Sequence, residues 1–135
     1  MSETTVASTT SLDEVVERLA AQAFDTRLFT VYTNTKRAQQ RAIQGRYPHL
    51  VVVGKVSHRV EIVGMVETAD SLHDSAAAAR RWHALEPLQA AVYLYVPRGY
   101  CTDARALCLR ERIRISDFRH YWTDDQGFSV EKCFA

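Results

Sequence analysis

The residues of this sequence that could do chemistry stand at the ends of two apolar runs. His49 directly precedes the run 50–53, and Glu67 directly follows the run 59–66, in which Met65 is the penultimate residue. Carboxylate oxygens suit Mg²⁺, an imidazole suits Zn²⁺ or Mn²⁺ better, and hard cations ignore a thioether. Each residue also has a structural interpretation, as a strand-ending carboxylate, a hydrogen-bonded histidine and a packed methionine.

A basic segment precedes these residues in the chain. Residues 34–46 contain no acidic side chain, and their basic residues are Lys36, Arg37, Arg41 and Arg46. Arginine makes bidentate contacts with phosphate, so one interpretation is a phosphate-contacting arm. The other is a solvated surface connection, because charge runs are often no more than that.

The elements that position these residues follow from the spacing of apolar side chains. Ser11 and Glu14 form a capping-box pattern ahead of an amphipathic helix over 12–24. Strands are predicted for 28–32, 50–53, 59–66, 90–96 and 113–118, and helices for 73–85 and for a segment ending near 112. The short connection 54–58 predicts an antiparallel hairpin, and 124–127 predicts a turn.

Polar residues indicate where the later helices begin. Asp70 or Ser71 is expected to cap the helix over 73–85, and Thr102 or Asp103 the helix that follows. The alternation of strands and helices in the second half predicts parallel pairing, with helices on both faces of the sheet. The predicted fold class is α/β, a three-layer sandwich around a central mixed sheet.

Composition narrows the class of protein. The 135 residues are 47% apolar and 24% charged with a formal net charge of +1, which excludes a disordered chain. We expect a mobile leader over 1–10 and a single domain over 11–135, with no apolar run long enough to span a membrane. Glycine-rich phosphate loops are absent from the sequence, which argues against dinucleotide and P-loop folds. The expected location is cytoplasmic.

Cysteine spacing agrees with that location. On a helix, Cys101 and Cys108 would lie about 10.5 Å apart along its axis, too far for a disulfide. With Cys133 the number of cysteines is odd, and no C-x-x-C pair is present. All three are therefore expected to be reduced, mostly buried thiols.

The two segments 46–53 and 60–68, with the helix before them and the helix and strand after them, resemble the PD-(D/E)xK superfamily of restriction-endonuclease-like nucleases. In that family a Pro-Asp pair opens one strand, and an acid and a lysine stand two residues apart on the next. Pro48 matches this pattern, whereas His49 stands at the metal-binding Asp, Met65 at the acid and Glu67 at the lysine. The resemblance covers roughly residues 11–118 and implies the restriction-endonuclease-like fold.

The resemblance also implies what each residue would do. Catalysis in the family uses a divalent cation held by carboxylates on adjacent strand ends. Glu67 with Glu14 or Glu17 of the first helix would hold Mg²⁺ or Mn²⁺ if the site is active, and His49 would belong to an altered site with Met65. Arg80 or Arg81, on the helix after the motif, would approach a phosphate.

The leading functional interpretation is a catalytically degenerate nuclease-fold domain that binds nucleic acid or a protein and needs no cofactor. An active metal-dependent nuclease built on Glu67, His49 and Glu14 or Glu17 is the first alternative. A structural subunit is the second, assembling with itself or with a protein partner through a C-terminal arginine and aromatic surface, and no membrane partner is expected. This surface comprises Arg98, Arg105, Arg110, Arg112, Arg114, Arg119, Tyr121, Trp122, Phe128 and Phe134. The four aromatic residues could instead belong to the last core strand.

Overall fold

A computed structural model describes residues 11–134 of the chain, so the predicted leader over 1–10 lies outside the described residues. The helices are α1 (Leu12–Gln22), α2 (Ala69–His73), α3 (Ser75–His83) and α4 (Cys101–Glu111). The strands are β1 (Phe29–Thr33), β2 (Leu50–Gly54), β3 (Val60–Val66), β4 (Ala91–Pro97), β5 (Asp117–Asp124) and β6 (Gly127–Lys132). None of the described helices is long and apolar enough to cross a bilayer.

The predicted start of α1 is confirmed. The Ser11 hydroxyl accepts a hydrogen bond from the Glu14 N–H at 3.2 Å, and the Glu14 carboxylate accepts one from the Ser11 N–H at 3.1 Å. These two bonds satisfy backbone donors that a helix N-terminus otherwise leaves free. The apolar stripe of Val15, Val16 and Leu19 is buried against the sheet.

The six described strands form one mixed sheet in the order β1-β2-β3-β4-β5-β6. β2 pairs antiparallel with both β1 and β3, which confirms the predicted hairpin between β2 and β3. β3, β4 and β5 are mutually parallel, connected by α2 with α3 and by α4, and β6 returns antiparallel to β5. The C-terminal ends of three parallel strands therefore lie at one edge of the sheet.

Each face of the sheet carries its own apolar core, because successive residues of a strand point to opposite faces. On β4, Tyr95 packs with the α1 side chains, whereas Leu94 and Val96 pack with α3 and α4 around Trp82. Helices thus cover both faces, as predicted for a mixed α/β fold. The fold class is confirmed at this level.

The helix predicted over 73–85 is confirmed as α3 over Ser75–His83, but the sequence analysis does not predict α2, which precedes it and is separated from it by Asp74. Asp74 has a non-helical backbone (φ −96°, ψ 86°), and its carboxylate accepts a hydrogen bond from the Ala77 N–H at 3.1 Å. The expected caps also change: Thr68 caps α2 in a capping box with Ser71, and Asp74 caps α3. Short polar residues compete with helix interiors for backbone donors, which explains the break.

Two boundaries further along the chain also differ from the prediction. α4 begins at Cys101 after Tyr100, and no side chain caps it, so neither Thr102 nor Asp103 has that role. The strand predicted over 113–118 begins only at Asp117. Ile113 and Ile115 pack on the α4 side of the sheet from an irregular segment, so their alternation reflects burial without strand pairing.

The expectation of three reduced cysteines is wrong for two of them. Cys101 and Cys133 form a disulfide with their Cα atoms 5.6 Å apart, and Cys108 is a buried free thiol. The pairing arises because β6 continues alongside β5, where the Cys133 N–H donates to the Phe118 carbonyl at 2.9 Å. Sequence separation alone does not reveal this proximity, since it depends on the β5–β6 hairpin.

Candidate functional site

The candidate site lies at the sheet edge where β3, β4 and β5 end. In parallel α/β sheets, ligands commonly bind at the carboxyl ends of the strands. The segment 34–49, which connects β1 to β2 and is called the basic loop below, lies at this edge together with Glu67. His49 ends the basic loop, so the sheet brings His49 and the C-terminal end of β3 together as predicted.

Glu67 is the best-satisfied side chain of the site and is 1% exposed. One carboxylate oxygen accepts hydrogen bonds from Arg81 Nη2 and Ser71 Oγ, both at 2.6 Å. The other accepts from Arg81 Nε at 3.2 Å and from Trp82 Nε1 at 2.9 Å. The carboxylate thus accepts four hydrogen bonds and forms an ion pair with Arg81. A buried carboxylate needs such partners to offset the loss of its hydration.

The main chain of Glu67 is held as firmly as its side chain. Its N–H donates to the Tyr95 carbonyl at 2.9 Å, and its carbonyl accepts from the Tyr121 hydroxyl at 2.7 Å. Two neighbouring strands, β4 and β5, therefore fix the position of Glu67. A side chain held this way has little freedom to turn toward a ligand.

His49 points its Nδ1 atom at the end of β3. This atom accepts a hydrogen bond from the Val66 N–H at 2.8 Å, which requires a neutral ring protonated at Nε2. Burial lowers the pKa of His49, with a further lowering by Arg81, while Glu67 and Asp13 act in the opposite direction. With one nitrogen accepting and the other protonated, the ring has no free lone pair for a metal ion or a proton.

Beside these residues lies an open cleft of about 300 Å³, called the arginine cleft below. It is lined by Gly45, Arg46, Tyr47, Pro48, Met65, Arg81, Ala84 and Leu85. Pro48, Met65 and Leu85 are buried, whereas Arg46 and Tyr47 are exposed. The cleft therefore has an apolar back wall and a basic, aromatic rim, and no acidic side chain lines it.

Arg81 connects the buried carboxylate to this cleft. Its Nε and Nη2 atoms contact Glu67, and Nη2 also donates to the Ser71 carbonyl at 3.3 Å. Its Nη1 atom makes no hydrogen bond within residues 11–134, and 37% of the side chain is exposed. Arg81 is thus bound to the protein through Nε and Nη2 and also lines the cleft.

The basic loop has a defined backbone, organised by the buried Asn34. The Asn34 Nδ2 atom donates to the carbonyls of Arg41 and Pro48 at 2.7 and 2.6 Å, and Oδ1 accepts from the Arg41 N–H at 3.0 Å. Gln40 returns to β1, where its side-chain oxygen accepts from the Thr33 N–H at 2.8 Å. A polar side chain that makes three such bonds fixes the loop without a regular element.

The structure brings together two of the six predicted nucleic-acid-binding residues, Arg46 and Arg81. Arg41 stacks on Tyr32 with its guanidinium carbon 5.1 Å from the ring centroid, and Arg80 is exposed on α3. Lys36 is exposed and donates its N–H to Asp13 at 3.4 Å, and Arg37 lines a second cleft against α1. The other four residues do not line the arginine cleft.

Neither of the two acids predicted on α1 lines the arginine cleft. Glu14 is used in the capping box with Ser11, and Glu17 lines the second cleft, of about 460 Å³, with Arg18 and Arg37. Within residues 11–134 there is no cluster of three or more His, Cys, Asp or Glu side chains that could hold a metal ion. The role of these acids as metal ligands stays a prediction.

The prediction of an exposed C-terminal surface is wrong for two of its four aromatic residues, which are core residues. Tyr121 and Phe128 are buried in the α1 core with their rings stacked at 6.0 Å. Trp122 and Phe134 remain partly exposed, and Arg98 and Arg105 stack over them at 4.3 and 4.8 Å.

Sequence reasoning missed Asn34, Ser71 and Trp82 as members of the site. The signal for Ser71 was present, because Thr68 and Ser71 have capping-box spacing. Asn34 and Trp82 carried no such signal, since each hydrogen-bonds to a residue 14 or 15 positions away in the chain.

Comparison of the chain with known protein families, with curated proteins and with solved structures finds no match.

Proposed function

We propose that the chain is a catalytically inactive, nuclease-like domain that binds nucleic acid at the arginine cleft. The observation that carries the proposal is the contact between Arg81 and Glu67. In a metal-dependent nuclease, a carboxylate at this strand end would hold a divalent cation. Here the guanidinium of Arg81 neutralises that carboxylate, and the same side chain lines the cleft.

The surroundings of this ion pair support binding without catalysis. Both carboxylate oxygens of Glu67 already accept two hydrogen bonds each, and the Nδ1 lone pair of His49 is taken by the Val66 N–H. A cation would have to displace these donors at a cost of several hydrogen bonds to charged groups. The site therefore favours an anionic ligand over a metal ion.

The basic loop supports nucleic acid as that ligand. Residues 34–49 carry four positive side chains and no negative one, although the net charge of the whole chain is only +1. Local concentration of arginine and lysine produces phosphate binding where the overall charge does not. The order of one helix, three antiparallel strands, a helical segment and a parallel strand also supports the restriction-endonuclease-like classification.

The direct test is binding and cleavage with labelled 20-nucleotide DNA and RNA, each single- and double-stranded. We expect binding that is the same in Mg²⁺, Mn²⁺ or EDTA, that weakens steeply with salt, and that is accompanied by no cleavage. Arg46→Ala should weaken binding and reduce the salt slope by about one. Arg59→Ala, which removes an exposed charge at the opposite end of β3, is the matched control and should bind like the wild type.

Three results would overturn the proposal. Cleavage that Glu67→Gln abolishes while the variant stays folded would establish an active nuclease. Absence of binding to all four nucleic acids would exclude the function. A stable oligomer that ignores nucleic acid would favour the assembly interpretation, with a protein as the partner.

A further inference from the structure

We infer that the arginine cleft takes single-stranded nucleic acid and holds one unpaired base against the ring of Tyr47. This inference rests on the proposed function and names the form of nucleic acid that the site selects. Tyr47 is 49% exposed and stands between Arg46 and the buried Pro48 at the rim of the cleft. An exposed aromatic ring beside two arginines offers both a stacking surface and phosphate contacts.

The backbone on both sides of Tyr47 is fixed. Ile43 and Arg46 exchange two backbone hydrogen bonds, at 2.9 and 3.0 Å, around the two-residue turn Gln44-Gly45. Both turn residues have positive φ, 52° and 75°, which is typical of a type I′ turn. On the other side, the Pro48 carbonyl accepts a hydrogen bond from Asn34. A rigid aromatic platform binds with a smaller loss of conformational entropy than a mobile one.

The size and lining of the cleft favour one base over an extended groove. A volume of about 300 Å³ lies at the lower end of the range for small-ligand pockets. Its back wall of Met65, Leu85 and Pro48 is apolar, as suits the face or edge of a base, and its arginines stand at the rim where a phosphate would lie. A paired base in a duplex cannot enter without leaving its stack.

A duplex would use a different part of this surface. A duplex presents its phosphates and keeps its bases stacked on one another. It could therefore contact Arg46 and the exposed arginines of the basic loop, but it could not stack a base on the ring of Tyr47. Loss of the ring should then weaken single-strand binding alone. Loss of a positive charge should weaken both forms of binding, because both strands carry phosphates.

The experiment measures the affinity of 20-nucleotide single strands and of the matching duplex for the wild type, Tyr47→Ala, Tyr47→Phe and Arg46→Ala. We expect the wild type to prefer the single strand at least fivefold. Tyr47→Ala should lower single-strand affinity about tenfold and duplex affinity less than twofold, and Tyr47→Phe should retain wild-type affinity. Arg46→Ala should weaken both. Quenching of Tyr47 fluorescence is not separable from that of the other tyrosines, so affinity is the measurement.

Failure of this inference is distinguishable from failure of the proposed function. If no nucleic acid binds, the proposed function is wrong. If the duplex binds as tightly as the single strand, or if Tyr47→Ala weakens both equally, nucleic-acid binding stands and the single-strand inference is wrong. Thermal unfolding of each variant checks the fold, and Tyr47 is exposed enough for its replacement to leave the core intact.

Discussion

Arg81 and Glu67 form a partly buried ion pair, with Arg81 Nη2 2.6 Å from a Glu67 carboxylate oxygen, fourteen residues apart in the sequence. The pair joins the end of β3 to α3 and lies behind the arginine cleft. It gives the buried carboxylate a partner and gives the cleft a fixed cation. The same guanidinium therefore neutralises the buried carboxylate and lines the cleft.

Removing the charge of Glu67 should destabilise the protein. Glu67→Gln leaves Arg81 without its counter-ion and removes the charged acceptor of the Trp82 and Ser71 hydrogen bonds. We expect the free energy of unfolding to fall by about 3 kcal/mol. Urea unfolding followed by circular dichroism measures this change. Glu61→Gln, which alters an exposed carboxylate on the same strand, is the control and should change stability by less than about 0.5 kcal/mol. A similar small effect at Glu67 would contradict the assigned network.

Stability should fall as the pH decreases below the ordinary pKa of histidine. Burial holds the pKa of His49 below its usual 6.5 in the folded state, so the unfolded chain takes up the proton first and unfolding becomes more favourable. Protonation also breaks the hydrogen bond from the Val66 N–H. Urea midpoints between about pH 7.5 and pH 5.5 should decrease for the wild type and decrease less for His49→Gln.

Protonation of the exposed His83 changes stability in the opposite direction to protonation of His49, so the experiment needs a control for His83. Its hydrogen bond to Glu86 raises its pKa, so its protonation favours the folded state as the pH falls. The comparison is therefore made in a His83→Gln background, where this contribution is absent. An unchanged pH dependence after His49→Gln would show that His49 is not the titrating group.

Two buried tyrosines should respond differently to loss of their hydroxyl groups. The Tyr121 hydroxyl donates to the Glu67 carbonyl at 2.7 Å, whereas the buried Tyr95 hydroxyl has no partner among the described residues. Tyr121→Phe should cost about 1 to 2 kcal/mol because it leaves a buried carbonyl with one bond fewer. Tyr95→Phe should be neutral or stabilising. Chemical denaturation measures both, and the reverse order of stabilities would refute the assignment.

Counting reactive thiols tests the disulfide. With Cys101 and Cys133 paired and Cys108 buried, the native protein should react with a thiol reagent slowly or not at all. Burial raises the pKa of Cys108 to about 11, which further lowers its reactivity. One thiol should react after unfolding, and three after unfolding and reduction. Three reactive thiols without reduction would show that the disulfide is absent.

The same disulfide should contribute to stability. It connects residues 32 positions apart, and the chain-entropy relation then gives about 3 to 4 kcal/mol. Cys133→Ala should therefore lower the urea midpoint strongly in oxidising buffer and leave the protein insensitive to added reductant. The wild type should lose stability on reduction, and a midpoint that reductant does not change would contradict this expectation.

Asn34 should control the order of the basic loop. Asn34→Ala removes three hydrogen bonds to Arg41 and Pro48, so the loop should open and trypsin should cleave at its lysine and arginines at least about tenfold faster. Gln39→Ala, an exposed neighbour, is the matched control and should be cleaved like the wild type. Unchanged cleavage of Asn34→Ala would mean that other contacts hold the loop.

Patterns that depend on neighbouring residues were predictable. The capping box of Ser11 with Glu14 and the hairpin between β2 and β3 rest on spacings of a few residues, and the structure confirms both. The wrong predictions have different causes. Ile113 and Ile115 alternate with polar residues because they are buried by α4 and the sheet, so tertiary packing decided against the local strand pattern. Asp74 ends α2 because its side chain caps α3, which is a local hydrogen bond that competes with a continuous helix.

The sequence by itself determined the fold class, the adjacency of His49 to the end of β3 and the basic character of segment 34–46. These follow from hydrophobic periodicity and charge, which local spacing encodes. Only the tertiary structure decided that Glu67 accepts from Arg81, Trp82 and Ser71, and that Cys101 pairs with Cys133. Such contacts depend on how elements pack side by side, because they join residues that lie far apart in the chain, and local spacing does not encode that packing.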